Sequence, residues 1–149
     1  MTDLTIMSFA FSRGEPPDAN LVFDMRFLRN PHWQEHLRPL SGLDAPVGAY
    51  SSGDAAYAEA LARIEAMLLT LLPLYQADGK EVVRVAFGCT GGRHRSVHVA
   101  EHVALRLRAE GFSPRLDHRD LAAPPRDGTE QSAGTGRNGT GQTAAKVTE

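Results

Sequence analysis

A strand that empties into glycines and is followed at once by a helix leaves a chain few folds to choose from. Here Val82-Val83-Arg84-Val85-Ala86-Phe87 runs into Gly88-Cys89-Thr90-Gly91-Gly92-Arg93-His94-Arg95-Ser96. A helix is expected from about Arg95 to Glu110, with Gly111 as its stop. A β-loop-α unit of this kind belongs to α/β folds, where ligands sit off the carboxyl ends of the strands.

The rest of the chain fits that class. Leu4 to Phe11 reads as a buried strand, and Glu15-Pro16-Pro17-Asp18 as a turn that its prolines keep from being helical. Leu21 to Arg26 reads as a second strand, its continuous apolar start predicting cover on both faces. Arg29 to about Gly53 is expected to be irregular, broken by Pro39, Gly42, Pro46 and Gly48, and a loop that long is usually functional. Ala60, Leu61, Ile64, Leu68, Leu71 and Leu72 recur at helical spacing and predict a helix over 54–75, kinked or ended by Pro73. A last strand is expected over 113–118. The order of elements predicts a single α/β domain over 1–120, with a mainly parallel sheet flanked by helices. Residues 121–149 are rich in Gly, Thr and Ser without apolar periodicity, and are expected to be a disordered tail.

The chemistry concentrates in the glycine loop. The first turn of a helix leaves backbone N–H groups unpaired, and they carry partial positive charge. Gly91 and Gly92 let backbone approach a ligand closely. Arg95 adds a fork suited to phosphate, Arg93 and His94 are further donors, and Thr90 and Ser96 bring hydroxyls. The expected occupant is a phosphate group. The loop is not a Walker A motif, which needs Gly-Lys-Ser/Thr at fixed spacing. A second reading is covalent. Cys89, five residues, then Arg95 and Ser96 match the Cys-x5-Arg-Ser/Thr pattern of tyrosine phosphatases, with Cys89 as nucleophile and Arg95 holding the phosphoryl oxygens. Gly88 stands where that family commonly has His. The acid needed for the leaving group would come from Asp24, Asp44 or Asp120.

A second constellation follows the second strand. If that strand is parallel to Val82–Gly88, then Arg26, Asn30 and His32 meet the loop, Arg26 on phosphate and the others on hydroxyl or amino groups; the plain alternative is a solvated loop with Trp33 packed as its anchor. His94, His98 and His102 fall on one helix face, but no carboxylate or cysteine is evident beside them, so no metal is expected. His118-Arg119-Asp120 matches a kinase triplet by chance, since the accompanying kinase motifs are missing.

Composition narrows the partners. The net charge is −2, from 16 Lys+Arg against 18 Asp+Glu, so no global field draws in nucleic acid or anionic membrane. One cysteine forbids an intrachain disulfide. No signal sequence or membrane span is evident, and a cytoplasmic protein is expected.

Several segments, in order, resemble the C-terminal domain of the RNase adapter protein RapZ (YvcJ-like) family. They are Ser8-Phe9-Ala10-Phe11, Leu21 to Trp33, Leu37 to Asp44, Leu72 to Tyr75, Gly88 to Val97 and His118 to Asp120. Asn-Pro-His-Trp and Gly-Cys-Thr-Gly-Gly-x-His-Arg-Ser-Val together are highly specific. The resemblance implies a regulatory module that binds an amino-sugar phosphate such as glucosamine 6-phosphate, through Arg26, Asn30, His32, Thr90, Gly91, Gly92, His94, Arg95 and Ser96. It also implies RNA or ribonuclease contacts and homo-oligomers. No cofactor is expected. The family's Walker-bearing nucleotide domain has no counterpart here, so ATP or GTP hydrolysis is not expected. Its basic C-terminal end is replaced by a near-neutral stretch, which argues against strong RNA binding.

Overall fold

A computed structural model describes residues 2–123. The expected tail, from residue 124 onward, lies outside the described residues. Four strands, β1 (Asp3–Ala10), β2 (Leu21–Asp24), β3 (Val82–Cys89) and β4 (Arg115–His118), form one sheet in the order β2-β3-β1-β4. Every neighbouring pair is parallel. The helices are α1 (Ala45–Ser52), α2 (Tyr57–Ala77) and α3 (Arg95–Ala109), with short 3-10 turns at Phe11–Arg13 and Pro31–Trp33.

The alternation of β1 sorts its side chains between two faces. Leu4 and Ile6 join Val83, Val85 and Phe87 in the main core, which α2 covers with Leu61, Leu68 and Leu72, and α3 with Val99, Ala100, Val103, Ala104 and Leu107. Met7, Phe9 and Ala86 form a smaller cluster with Phe11 and Ala19.

Three expectations need correction. β2 is an edge strand, with Leu21 and Phe23 half-buried and Val22 and Asp24 exposed, so its apolar run does not mean cover on both faces. The stretch after Arg29 is not irregular throughout, because α1 occupies Ala45–Ser52. Pro46 sits in its first turn, where a missing N–H costs nothing. Gly48 is there for packing, since a Cβ would lie 2.9 Å from the His98 imidazole. Pro73 does not end α2, which continues to Ala77. The proline faces solvent, where water can take the carbonyl it deprives of a partner, while Leu72 is buried and Tyr75 packs on the core.

Candidate functional site

β2 and β3 are parallel neighbours, with Asp24 opposite Gly88, and the Met25 N–H donates to the Gly88 carbonyl at 2.8 Å. The segment after β2 therefore leaves the sheet beside the glycine loop. At the loop itself, Gly92 has φ +71°, and a Cβ there would come within 2.8 Å of Ala10 Cβ. The position accepts only glycine without movement. Gly91 is different, since a Cβ there would have nothing within 4 Å, so it faces open space.

Arg95 joins the two segments. It is 1% exposed, and its Nη1 donates to the carbonyl oxygens of Arg26 and Leu28, both at 2.8 Å. Its Nη2 donates to Thr90 Oγ1 at 3.4 Å, and its Nε is buried without a partner among the described residues. Among the described residues no carboxylate lies within ion-pairing distance of it. A buried guanidinium is thus held by neutral oxygens at the first residue of α3, where the helix dipole is already positive.

His94, before it, is 8% exposed, and its Nε2 has no partner among the described residues. Burial pushes its pKa down to about 4, further lowered by the charges of Arg93 and His32, against the pull of backbone groups at Leu40 and Arg38. It is a neutral imidazole at pH 7. Ser96 turns its hydroxyl to Cys89 Sγ at 3.1 Å, and its N–H also points at that sulfur, 3.4 Å away. Cys89 is buried at the loop's base.

Arg26 spreads over the Asp24 carboxylate, Nε to Oδ1 at 2.9 Å and Nη2 to Oδ2 at 2.6 Å, and its guanidinium lies 4.0 Å from the Phe11 ring centre. The hydrogen bond from Arg26 is the chief reason that the Asp24 pKa is lowered. Asn30 Oδ1 accepts the His32 N–H at 3.0 Å, capping the Pro31–Trp33 turn. The His32 ring meets the Trp33 indole edge to face, and Trp33 is 57% exposed rather than packed as an anchor.

Arg93 does not point a free guanidinium at the loop's mouth. It donates to the carbonyls of Leu121, Pro39 and Leu40, while its own carbonyl accepts the Gly42 N–H at 2.7 Å. Gly42 is a close approach, since a Cβ there would meet the His94 carbonyl and the His98 N–H. Each acid proposed for a leaving group is already an acceptor. Asp24 takes Arg26, Asp44 takes the Ser41 N–H, and Asp120 takes the Ala10 N–H.

The histidine stripe has partners that sequence spacing did not reveal. His98 Nε2 bonds Tyr57 Oη at 2.9 Å, and His102 Nε2 lies 3.1 Å from Glu65. Both histidines line a cleft of about 480 Å³ beside α1. No group of side chains among the described residues is arranged to hold a metal. His118 is structural, its Nδ1 bonded to Ser8 Oγ at 2.6 Å and its Nε2 to Glu101 at 2.8 Å.

The family model of the RapZ C-terminal domain matches residues 2–122. A "nucleotide-binding protein" of Rhizorhabdus wittichii is 66% identical over 120 residues, covering 80% of this chain and 38% of that protein. A protein of the same description from Sphingopyxis alaskensis is 58% identical over 127 residues, 85% of this chain and 40% of the relative. One from Zymomonas mobilis is 52% identical over 122 residues, 82% and 38%. The chain thus spans about two fifths of the length of the curated relatives it matches. Among the described residues no helix is long and apolar enough to cross a membrane.

Proposed function

The chain belongs to the RapZ C-terminal domain family, and from that premise we propose that it is a regulatory module whose glycine loop holds the phosphoryl group of a small metabolite. The observation that carries this reading is Arg95, a buried cation with no carboxylate within ion-pairing distance among the described residues, set at the positive end of a helix, its charge reaching only the more distant Asp24. A buried cation held only by neutral oxygens is a natural counter-charge for an entering anion. Thr90, Gly91, Gly92 and His94 border it, and Arg26, Asn30 and His32 stand on the facing segment. Neutral His94 suits a hydroxyl or amino group beside the phosphate, so an amino-sugar phosphate such as glucosamine 6-phosphate is the first ligand to try. In this reading the module passes the ligand's presence to a partner, an RNA or a ribonuclease, in the cytoplasm and as a homo-oligomer.

Isothermal titration with glucosamine 6-phosphate, glucose 6-phosphate, AMP and inorganic phosphate tests it. Binding that disappears in Arg95→Ala is the expected result. No heat from any of them at millimolar concentration would end the proposal.

One observation favours a second reading. The Ser96 hydroxyl and N–H both face Cys89 Sγ at a helix N-terminus, which sets that sulfur beside the loop's backbone amides. A thiolate there would attack phosphorus as in the Cys-x5-Arg phosphatases. Against it, Asp24, Asp44 and Asp120 are all engaged as acceptors. Turnover of an aryl phosphate that is lost in Cys89→Ser would establish the phosphatase, and none between pH 5 and 8 would remove it.

A further inference from the structure

We propose that the cleft between α1 and the histidine face of α3 is a second binding site, separate from the glycine loop, and that it takes a small organic primary ammonium ion. α1 turns Ala45, Gly48, Ala49 and Ser52 toward the cleft, one face of the helix and all of it small. Those side chains leave about 480 Å³ open, a volume of the order that small-molecule sites have. Opposite them stand three rings in mutual contact. The Tyr57 centroid lies 5.7 Å from that of His98 and 6.0 Å from that of His102, and the two imidazoles are 6.2 Å apart. Tyr57 Oη and His98 Nε2 are joined at 2.9 Å, and whichever of them donates, the phenol oxygen keeps a lone pair to offer.

The charge around the cleft selects the ligand. Among the described residues lining it none is Lys or Arg. Burial lowers the His98 pKa, so that imidazole brings no positive charge at pH 7. Asp44 stands exposed at the rim, its Oδ2 on the Ser41 N–H and its Oδ1 without a hydrogen bond among the described residues. Behind the rings, Glu65 Oε2 is buried and takes no hydrogen bond among the described residues, with His102 Nε2 3.1 Å away. Burial, and then the Glu65 charge, push the Tyr57 pKa up to about 12, so the phenol stays neutral. An anion would meet two carboxylates here. A primary ammonium would find acceptors in Asp44 Oδ1, Tyr57 Oη and Ser52 Oγ, whose own proton goes to the Ala49 carbonyl, and a phenol ring whose face attracts cations. Leu43, exposed at the same rim, and the alanines of α1 give its carbon chain an apolar track.

The test is NMR on the full chain at pH 7, following the ring C–H signals of His98 and His102 during titration with n-butylammonium chloride. Sodium butanoate and sodium chloride serve as matched additions. Butylammonium should move both signals along saturating curves at millimolar concentration. Asp44→Asn keeps an oxygen for the Ser41 N–H and removes only the charge, and it should weaken binding about tenfold. Ala49→Leu fills the cleft from an exposed helix position with little change in helix propensity, and it should abolish the saturating shift. Shifts that rise linearly and match those from sodium chloride overturn the proposal. Saturating shifts from butanoate of equal or greater size assign the cleft to anions and overturn it as well. So does saturation that survives either substitution unchanged, because the cation then sits elsewhere. Thermal unfolding checks that both variants are folded. If one is not, the contrast between butylammonium and butanoate in the wild type decides alone.

Discussion

Arg95 Nη1 donates to the Arg26 carbonyl oxygen at 2.8 Å, across a sequence separation of 69 residues. That bond, with its twin to Leu28, makes the segment after β2 a fixed wall of the loop rather than a lid over it. Arg95→Lys keeps the charge but offers no planar fork, so it should lose the bridge and lower phosphate affinity at least tenfold. Arg95→Ala also empties a buried volume, and its stability loss should reach about 2–4 kcal/mol. Urea unfolding beside calorimetry separates the two effects.

The neutral state of His94 makes stability depend on pH. Its pKa falls from the ordinary 6.5 to about 4 in the folded chain. Between those values the unfolded chain binds the extra proton and the folded one does not. The contribution is therefore complete above pH 6.5 and is lost as pH falls toward 4, on the order of 3 kcal/mol in all. Urea titrations at pH 7, 6, 5 and 4 should show this slope, and His94→Gln should flatten it. A steeper slope in the variant would contradict the assignment.

The adjacent glycines should behave differently. Gly92→Ala meets both a positive φ and the Ala10 side chain, and should cost about 1–3 kcal/mol. Gly91→Ala meets nothing, so its stability should stay within about 0.5 kcal/mol of the wild type. If a ligand lies over Gly91, that variant should still bind it more weakly. Thermal unfolding and calorimetry on the pair would decide this.

Ser8, His118 and Glu101 tie β1, β4 and α3 together through one imidazole. Ser8→Ala and Glu101→Gln should each cost about 1 kcal/mol, and the double variant should cost measurably less or more than the sum. Strict additivity would mean that the two bonds act independently.

Much of the fold is legible in the chain because it depends on local patterns. The β3 run, the glycines after it and the repeat of Leu61, Leu68 and Leu72 are each visible within a short window. What is not legible depends on partners far away. The apolar start of β2 looks the same on an edge as in the middle of a sheet. The helix at Ala45–Ser52 is hidden by Pro46 and Gly48, whose reasons are a first-turn position and the His98 ring. The loop residues can be picked out by type, but not by orientation. Sequence cannot tell that Arg93 serves the carbonyls of Leu121, Pro39 and Leu40, or that Ser96 serves Cys89. Glu65 and Tyr57, the partners of the histidine stripe, lie on another helix and leave no trace in the spacing of the histidines.

The Arg93 hold on the Leu121 carbonyl also couples the segment after β4 to the glycine loop. Amide hydrogens on the two segments should therefore open to exchange together rather than one before the other.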